Sequence, residues 1–172
     1  IESIGLVSQI NIPGTNGKVY RSCMPKGCYD EDNEVLSMWK IRKVNYVICL
    51  VYDNEFIRKS TFTQKELYGD TYNYTNFPIE NYDIPSNLSQ LLNLCKTISE
   101  LLAKDSNLVI HCSAGIGRTG MIVACYLVYL GYTVENSINY VKKNILESLN
   151  NKNCKQKEII YDFYNFIKNK VE

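Results

Sequence analysis

Histidine is almost absent from this chain: there is one, His111, and the seven cysteines show no paired C-x-x-C spacing, so no zinc-type ligand set can be assembled. Charge of one sign is missing too. Lys and Arg total 19 against 18 Asp and Glu, a formal +1, which gives no support to nucleic acid or a membrane surface as the main partner. Long apolar runs are lacking. The longest, Met121 to Leu130, is too short to cross a bilayer. No basic region followed by an apolar stretch opens the chain, and there is no internal repeat or low-complexity linker. An odd number of cysteines in a chain too large to need stapling argues for free thiols in a reduced, cytoplasmic setting.

What is present fits a globular protein. With 172 residues, 45% hydrophobic and 22% charged, the expectation is one domain over residues 1–172. Buried strands are expected at Tyr46 to Val51 and Leu108 to Ile110, with a weaker one at Lys18 to Arg21. Between the two strong strands, Ser86 is placed to cap a helix whose Leu88, Leu91, Leu92, Cys95, Ile98, Leu101 and Leu102 share one face. A nearly all-apolar helix follows Gly120 and stops at Gly131; being apolar all round, it should lie buried against the sheet. Two more helices are expected, roughly Glu135 to Leu149 and Lys155 to Lys168, joined by a turn at Asn150 to Asn153. Strands alternating with helices predict an α/β fold, its helices concentrated in the C-terminal half.

The informative stretch is His111 to Gly120, HCSAGIGRTG, where a buried strand becomes a buried helix. Five residues separate Cys112 from Arg118, which lets a short loop of Ser113, Ala114, Gly115, Ile116 and Gly117 curl until its backbone N–H groups converge at a helix start. Such a nest binds an anion. Gly115 and Gly117 supply backbone freedom where a Cβ would obstruct or strain the turn. Amide dipoles, the helix N-terminus and a guanidinium all favour a thiolate at Cys112, which can attack phosphorus to form a phosphocysteine. Arg118 offers a planar, permanently charged fork matching two phosphate oxygens. Thr119 places a hydroxyl where it can stabilise the departing thiolate.

The pattern H-C-x5-R-[S/T] in this setting resembles the protein tyrosine phosphatase superfamily, in particular its small dual-specificity branch. Val19 to Ser22 looks like the family's early strand, Val44 to Tyr52 like its core strand and Phe77 to Ser86 like its acid loop. The resemblance implies a central sheet of four or five strands flanked by helices, and hydrolysis of phosphomonoesters without metal or other cofactor. It implies that His111 organises the loop by hydrogen bonding. Gln156 reads either as an exposed helix residue or, by the resemblance, as the residue that positions the hydrolytic water, and Cys49 reads as core packing, with a reversible disulfide to Cys112 as the alternative the resemblance offers.

One departure matters. The acid loop of the family carries an Asp four residues before a proline, and Asn81 stands there. An amide cannot act as a general acid. Asp83 and Glu80 are the nearby carboxylates; Asp83 is favoured because alternate residues of an extended loop face one side. A slow enzyme, a phosphate-binding pseudoenzyme or an engineered Asp-to-Asn trap would also leave Asn81 there. The catalytic loop has no lysine of the kind lipid-directed members place in it, and no internal His or Asn of the RNA-directed kind. Phosphorylated protein is therefore the expected partner, with an RNA 5′ end or a phosphoinositide as alternatives. Lys152, Lys155 and Lys157 read as a solvated helix start rather than a docking patch, Cys125 and Cys95 as core residues, and none of the fourteen tyrosines can be singled out.

Overall fold

A computed structural model of the chain describes residues 5–150 and 154–171. Five strands form one sheet: β1 (Val7–Ile10), β2 (Lys18–Ser22), β3 (Tyr46–Cys49), β4 (Asn73–Asn76) and β5 (Asn107–His111). Their spatial order is β1-β2-β5-β3-β4, with β1 antiparallel to β2 and the other neighbours parallel. The central strand β5 is buried on both faces by the packing of its neighbours, which is why it reads as a continuous Leu108-Val109-Ile110 run rather than an alternating one. In register, β5 sets His111 beside Ser22 of β2 and Cys49 of β3. The chain leaves the carboxyl end of the central strand directly into the Cys112–Arg118 loop.

Among the described residues seven helices flank the sheet: α1 (Val35–Ile41), α2 (Asp53–Ser60), α3 (Gln64–Tyr68), α4 (Leu88–Ala103), α5 (Gly117–Tyr129), α6 (Val134–Asn144) and α7 (Cys154–Val171). Three of them, α1 to α3, lie in the N-terminal half, and the four longer ones, α4 to α7, put most of the helix in the C-terminal half, as expected. The first three are short, and the exposed faces of α2 and α3 are polar, which hides them from an apolar-periodicity reading. The edge strands β1 and β4 are hidden for the same reason: Asn73-Tyr74-Thr75-Asn76 has no apolar run and is only half-buried.

Three boundaries shift. Asn87, not Ser86, caps α4, its side chain accepting from Gln90 N at 3.0 Å. Helix α5 starts at Gly117 rather than after Gly120, so Arg118 and Thr119 sit in its first turn. The glycine at 120 serves packing, since a Cβ there would fall on the Ser148 hydroxyl. Helix α6 ends at Asn144, five residues short of Leu149. Beyond it, Glu147 and Leu149 take left-handed backbone with φ of 70° and 53°, and Ser148 turns inward to bond Ile116 O. Part of the expected Asn150 to Asn153 turn, and Lys152, lie outside the described residues. Helix α5 is buried from Arg118 to Val128 and packs against α4, α6 and α7 as well as β5.

Candidate active site

The loop from Cys112 to Arg118 is held by its carbonyls. The six consecutive carbonyl oxygens from His111 to Ile116 all accept hydrogen bonds from groups beyond the loop's inner face. Leu50 N donates to His111 O at 3.0 Å and Met24 N to Ser113 O at 2.9 Å. The His111 ring bonds Cys112 O at 2.9 Å. Arg21 of β2 donates through Nη2 to Ala114 O at 3.1 Å and through Nε to Gly115 O at 2.8 Å. Ser148 Oγ donates to Ile116 O at 2.8 Å, which also accepts from Gly120 N. In a trans peptide the N–H opposes the C=O. With the carbonyls of 112–116 tied outward, the N–H groups of 113–117 turn to the concave side. Gly115 makes the turn possible: its φ is 78°, and a Cβ would meet the Ser22 carbonyl. Gly117 is not required on packing grounds, since a Cβ there would meet only the Gln156 side chain at 3.8 Å.

Cys112 lies on the floor of the cup, 2% exposed. Thr119 Oγ1 donates to its sulfur at 3.2 Å. His111 is fully buried, and burial pushes its pKa down to about 4, helped by the Arg118 charge and opposed by the bond to Cys112 O. It is neutral at physiological pH. Because a carbonyl only accepts, Nδ1 carries the hydrogen, and Nε2 accepts from the Tyr68 hydroxyl at 2.8 Å. Burial keeps that phenol protonated. His111 is thus a brace between α3 and the loop.

Arg118 is fixed by partners the sequence reading had not connected to it. Nη1 and Nη2 each reach a carboxylate oxygen of Glu55 on α2 at 2.9 Å, and Nη1 also donates to Ile79 O at 2.9 Å. A guanidinium has five N–H bonds. Three are taken, and the remaining Nε–H and outer Nη2–H lie side by side on one edge, a fork matched to two phosphate oxygens. Lys59, one turn after Glu55, bonds Glu55 Oε2 at 2.8 Å and Ser113 Oγ at 2.9 Å. Burial disfavours the Glu55 charge, but the Arg118 and Lys59 bonds outweigh it and bring the pKa down to about 2.

Above the cup opens a cavity of about 790 Å³ whose wall includes Cys112, Ser113, Ala114, Ile116, Gly117, Arg118, Lys59, Asn81, Tyr82, Tyr29, Glu147, Lys155 and Gln156. Among known proteins, residues 36–132, more than half of the chain, match the family described as "polymorphic toxin system, DSP-PTPase phosphatase". The chain belongs to the DSP-PTPase phosphatases. Protein tyrosine phosphatase domain-containing protein 1 of Bos taurus is 36% identical over 70 residues, 40% of this chain and 8% of that protein. The Arabidopsis thaliana phosphatidylinositol 3,4,5-trisphosphate 3-phosphatase and protein-tyrosine-phosphatase PTEN1 is 38% identical over 64 residues, 36% of this chain and 15% of that protein. The chain thus spans a small fraction of these curated relatives. The DSP-PTPase fold is confirmed by solved structures. Kinase-associated phosphatase with its catalytic cysteine replaced by serine superposes with a TM-score of 0.79 at 15% identity, covering 94% of this chain and 95% of that one. PTPMT1 in complex with PI(5)P gives 0.72 at 18%, covering 98% and 100%.

The acid loop of this DSP-PTPase chain does not deliver its nearby carboxylates to the cup. Asn81 lines the cavity, whereas Asp83 and Glu80 do not. The Asp83 carboxylate accepts from Ile84 N at 2.9 Å, and its backbone N donates to Glu80 O, so it closes its own turn. Asp83 does not share the side of Asn81, because Tyr82, with φ of 62°, breaks the extended run. Gln156 is 3% exposed, lines the cavity, and its Nε2 donates to Asp83 O at 3.4 Å. Lys155 also lines the cavity rather than only a solvated face. Cys49 is fully buried beside the loop, and burial pushes its thiol up to about 12, which leaves it protonated at neutral pH. Burial likewise raises Cys125 and Cys95 in the core.

Among the described residues no group of three or more His, Cys, Asp and Glu is arranged to hold a metal, and no helix is long and apolar enough to cross a membrane. Glu55, Lys59, Arg21, Ser148 and Tyr68 were not identified as site residues from sequence. The Glu55–Lys59 spacing of four was visible as a helical ion pair, but nothing in the sequence named Arg118 as its destination.

Proposed function

We propose that this chain hydrolyses phosphate monoesters on proteins through a phosphocysteine on Cys112, in a reduced intracellular compartment. The observation that supports this best is the cup whose six carbonyls are tied outward, with the Cys112 sulfur at its floor and the Arg118 fork at its side. Phosphate enters with its oxygens on the inward N–H groups and on Arg118. The Cys112 sulfur attacks phosphorus opposite the ester oxygen, the P–O bond breaks, and the ester oxygen leaves toward the mouth. Water, positioned by Gln156, then attacks phosphorus. The P–S bond breaks, and Thr119 stabilises the departing thiolate by its hydrogen bond. Preorganised donors of this kind act where charge develops, and each is worth about 10²- to 10³-fold in rate.

Protein substrates are favoured because the loop itself holds Ser113, Ala114, Ile116 and Gly117 with no lysine, and tyrosines Tyr29 and Tyr82 line the mouth. A phosphoinositide is the second reading. It is supported by Lys59 and Lys155, cations brought to the cavity from outside the loop, and by relatives whose names include phosphatidylinositol phosphatases. Turnover of a phosphopeptide panel beside phosphoinositides and RNA 5′ ends, with Cys112→Ser as control, tests both. Turnover by Cys112→Ser at the wild-type rate would rule out the phosphocysteine route, and preference for the lipid panel would replace the protein reading with the second one.

A further inference from the structure

The chemistry above leaves one role unfilled. A leaving oxygen with a high proton affinity needs a donor, and Asn81, on the cavity wall, can offer a hydrogen bond but not a proton. Asp83 and Glu80 lie off the wall, and Glu55 is held ionised by Arg118 and Lys59. One carboxylate remains. Among the described residues Glu147 is the single Asp or Glu that lines the Cys112 cavity.

Its placement suits the task. In an in-line displacement the leaving group sits opposite the nucleophile. Cys112 is on the buried floor, so the leaving group points to the mouth, and Glu147 is an exposed residue of that wall. Its segment is tied to the catalytic loop itself: the next residue, Ser148, is 2% exposed and donates to Ile116 O at 2.8 Å. Left-handed backbone at Glu147 and Leu149, on either side of that anchor, is a conformation that non-glycine residues adopt at an energetic cost. Such strain is retained where the surrounding structure enforces it, often at functional sites. Here it buries Ser148 and Leu149 while leaving Glu147 at the cavity. Arg118 and Lys59 face the same space, as do Lys155 and Gln156 of α7.

We infer that Glu147, from the segment between α6 and α7, is the general acid and base of this site in place of the acid loop. This rests on the phosphocysteine reading. In the first step the P–O bond breaks as the Cys112 sulfur bonds phosphorus, and the Glu147 proton passes to the leaving oxygen. In the second, water attacks phosphorus, its proton returns to the Glu147 carboxylate, and the P–S bond breaks to release the thiolate. Atoms and charges balance over the cycle.

The test uses the full chain and aryl phosphates whose leaving groups run from nitrophenol to phenol, so the physiological substrate need not be known. Removing a general acid typically costs about 10²- to 10⁴-fold. Wild type should show a shallow dependence of kcat/KM on leaving group. Glu147→Gln should fall by about 10²-fold or more on phenyl phosphate and far less on nitrophenyl phosphate. Glu147→Asp should be intermediate, and vanadate should bind all three alike. The assignment is overturned if Glu147→Gln loses both substrates equally, if it loses neither, or if Asp83→Asn reproduces the selective loss. It is also overturned if wild type already shows the steep dependence expected of the variant. These outcomes leave the phosphocysteine reading standing, which fails separately if Cys112→Ser retains turnover.

Discussion

Replacing Glu55 by Gln removes one negative charge while keeping the shape of the side chain. In the structure that carboxylate receives three charge-assisted bonds, two from Arg118 and one from Lys59, at 2.8 to 2.9 Å. An amide can accept through one oxygen only, and its NH2 then opposes an Arg118 or Lys59 donor. At least one charge-assisted bond to the guanidinium is lost, each worth about 1.5 to 3 kcal/mol. If that loss falls on the alignment of the fork in the transition state, kcat/KM drops by about 10- to 150-fold at 1.36 kcal/mol per tenfold. Arg118 keeps its bond to Ile79 O, so the drop should stay well short of that for Arg118→Ala. Steady-state kinetics on an activated aryl phosphate measures it, with vanadate affinity falling in parallel. A kcat/KM within twofold of wild type would refute the claim that Glu55 sets the fork.

Arg21→Met leaves the buried carbonyl of Gly115 and the part-buried one of Ala114 without their donor, a penalty of about 1 to 3 kcal/mol for the buried one. Melting temperature and vanadate affinity should both fall, and unchanged vanadate affinity would contradict the outward-carbonyl arrangement. Acid should destabilise the fold in two stages. His111, near 6.5 when unfolded and about 4 when folded, contributes stability that is present above pH 6.5 and lost as pH falls toward 4. Glu55, ordinarily 4.5 and about 2 when folded, contributes stability lost between those values. Melting temperature against pH should therefore fall in both windows; His111→Asn should abolish the first window only, and Glu55→Gln the second.

The parts of the molecule that bury apolar surface were legible in the sequence. The run Leu108-Val109-Ile110 leading into His111 and Cys112 located the central strand and its loop, and the Leu88 to Leu102 periodicity located α4. The family signature then carried the phosphatase fold with a sheet of four or five strands, of which the structure has five. Polar short elements were not legible, because β4 and α2 bury too little apolar surface to leave a periodic trace. Within the site, the loop residues are local and therefore readable, whereas their supports are distant in sequence. Arg21 reaches Gly115 across 94 positions and Glu55 reaches Arg118 across 63, and no spacing rule spans such gaps. Asn81 was legible as a departure, but its consequence was not, since the backbone turn at Tyr82 decides that Asp83 faces away.

Rapid acid quench during turnover, followed by mass spectrometry of the Cys112 peptide, tests most directly whether the cup exists to hold a sulfur nucleophile against phosphorus. One phosphoryl group should be found on Cys112 during steady state, accumulate in Gln156→Ala, and be absent in Cys112→Ser along with product. Product formed at the wild-type rate with no phosphoryl group on Cys112 at any time point would contradict it.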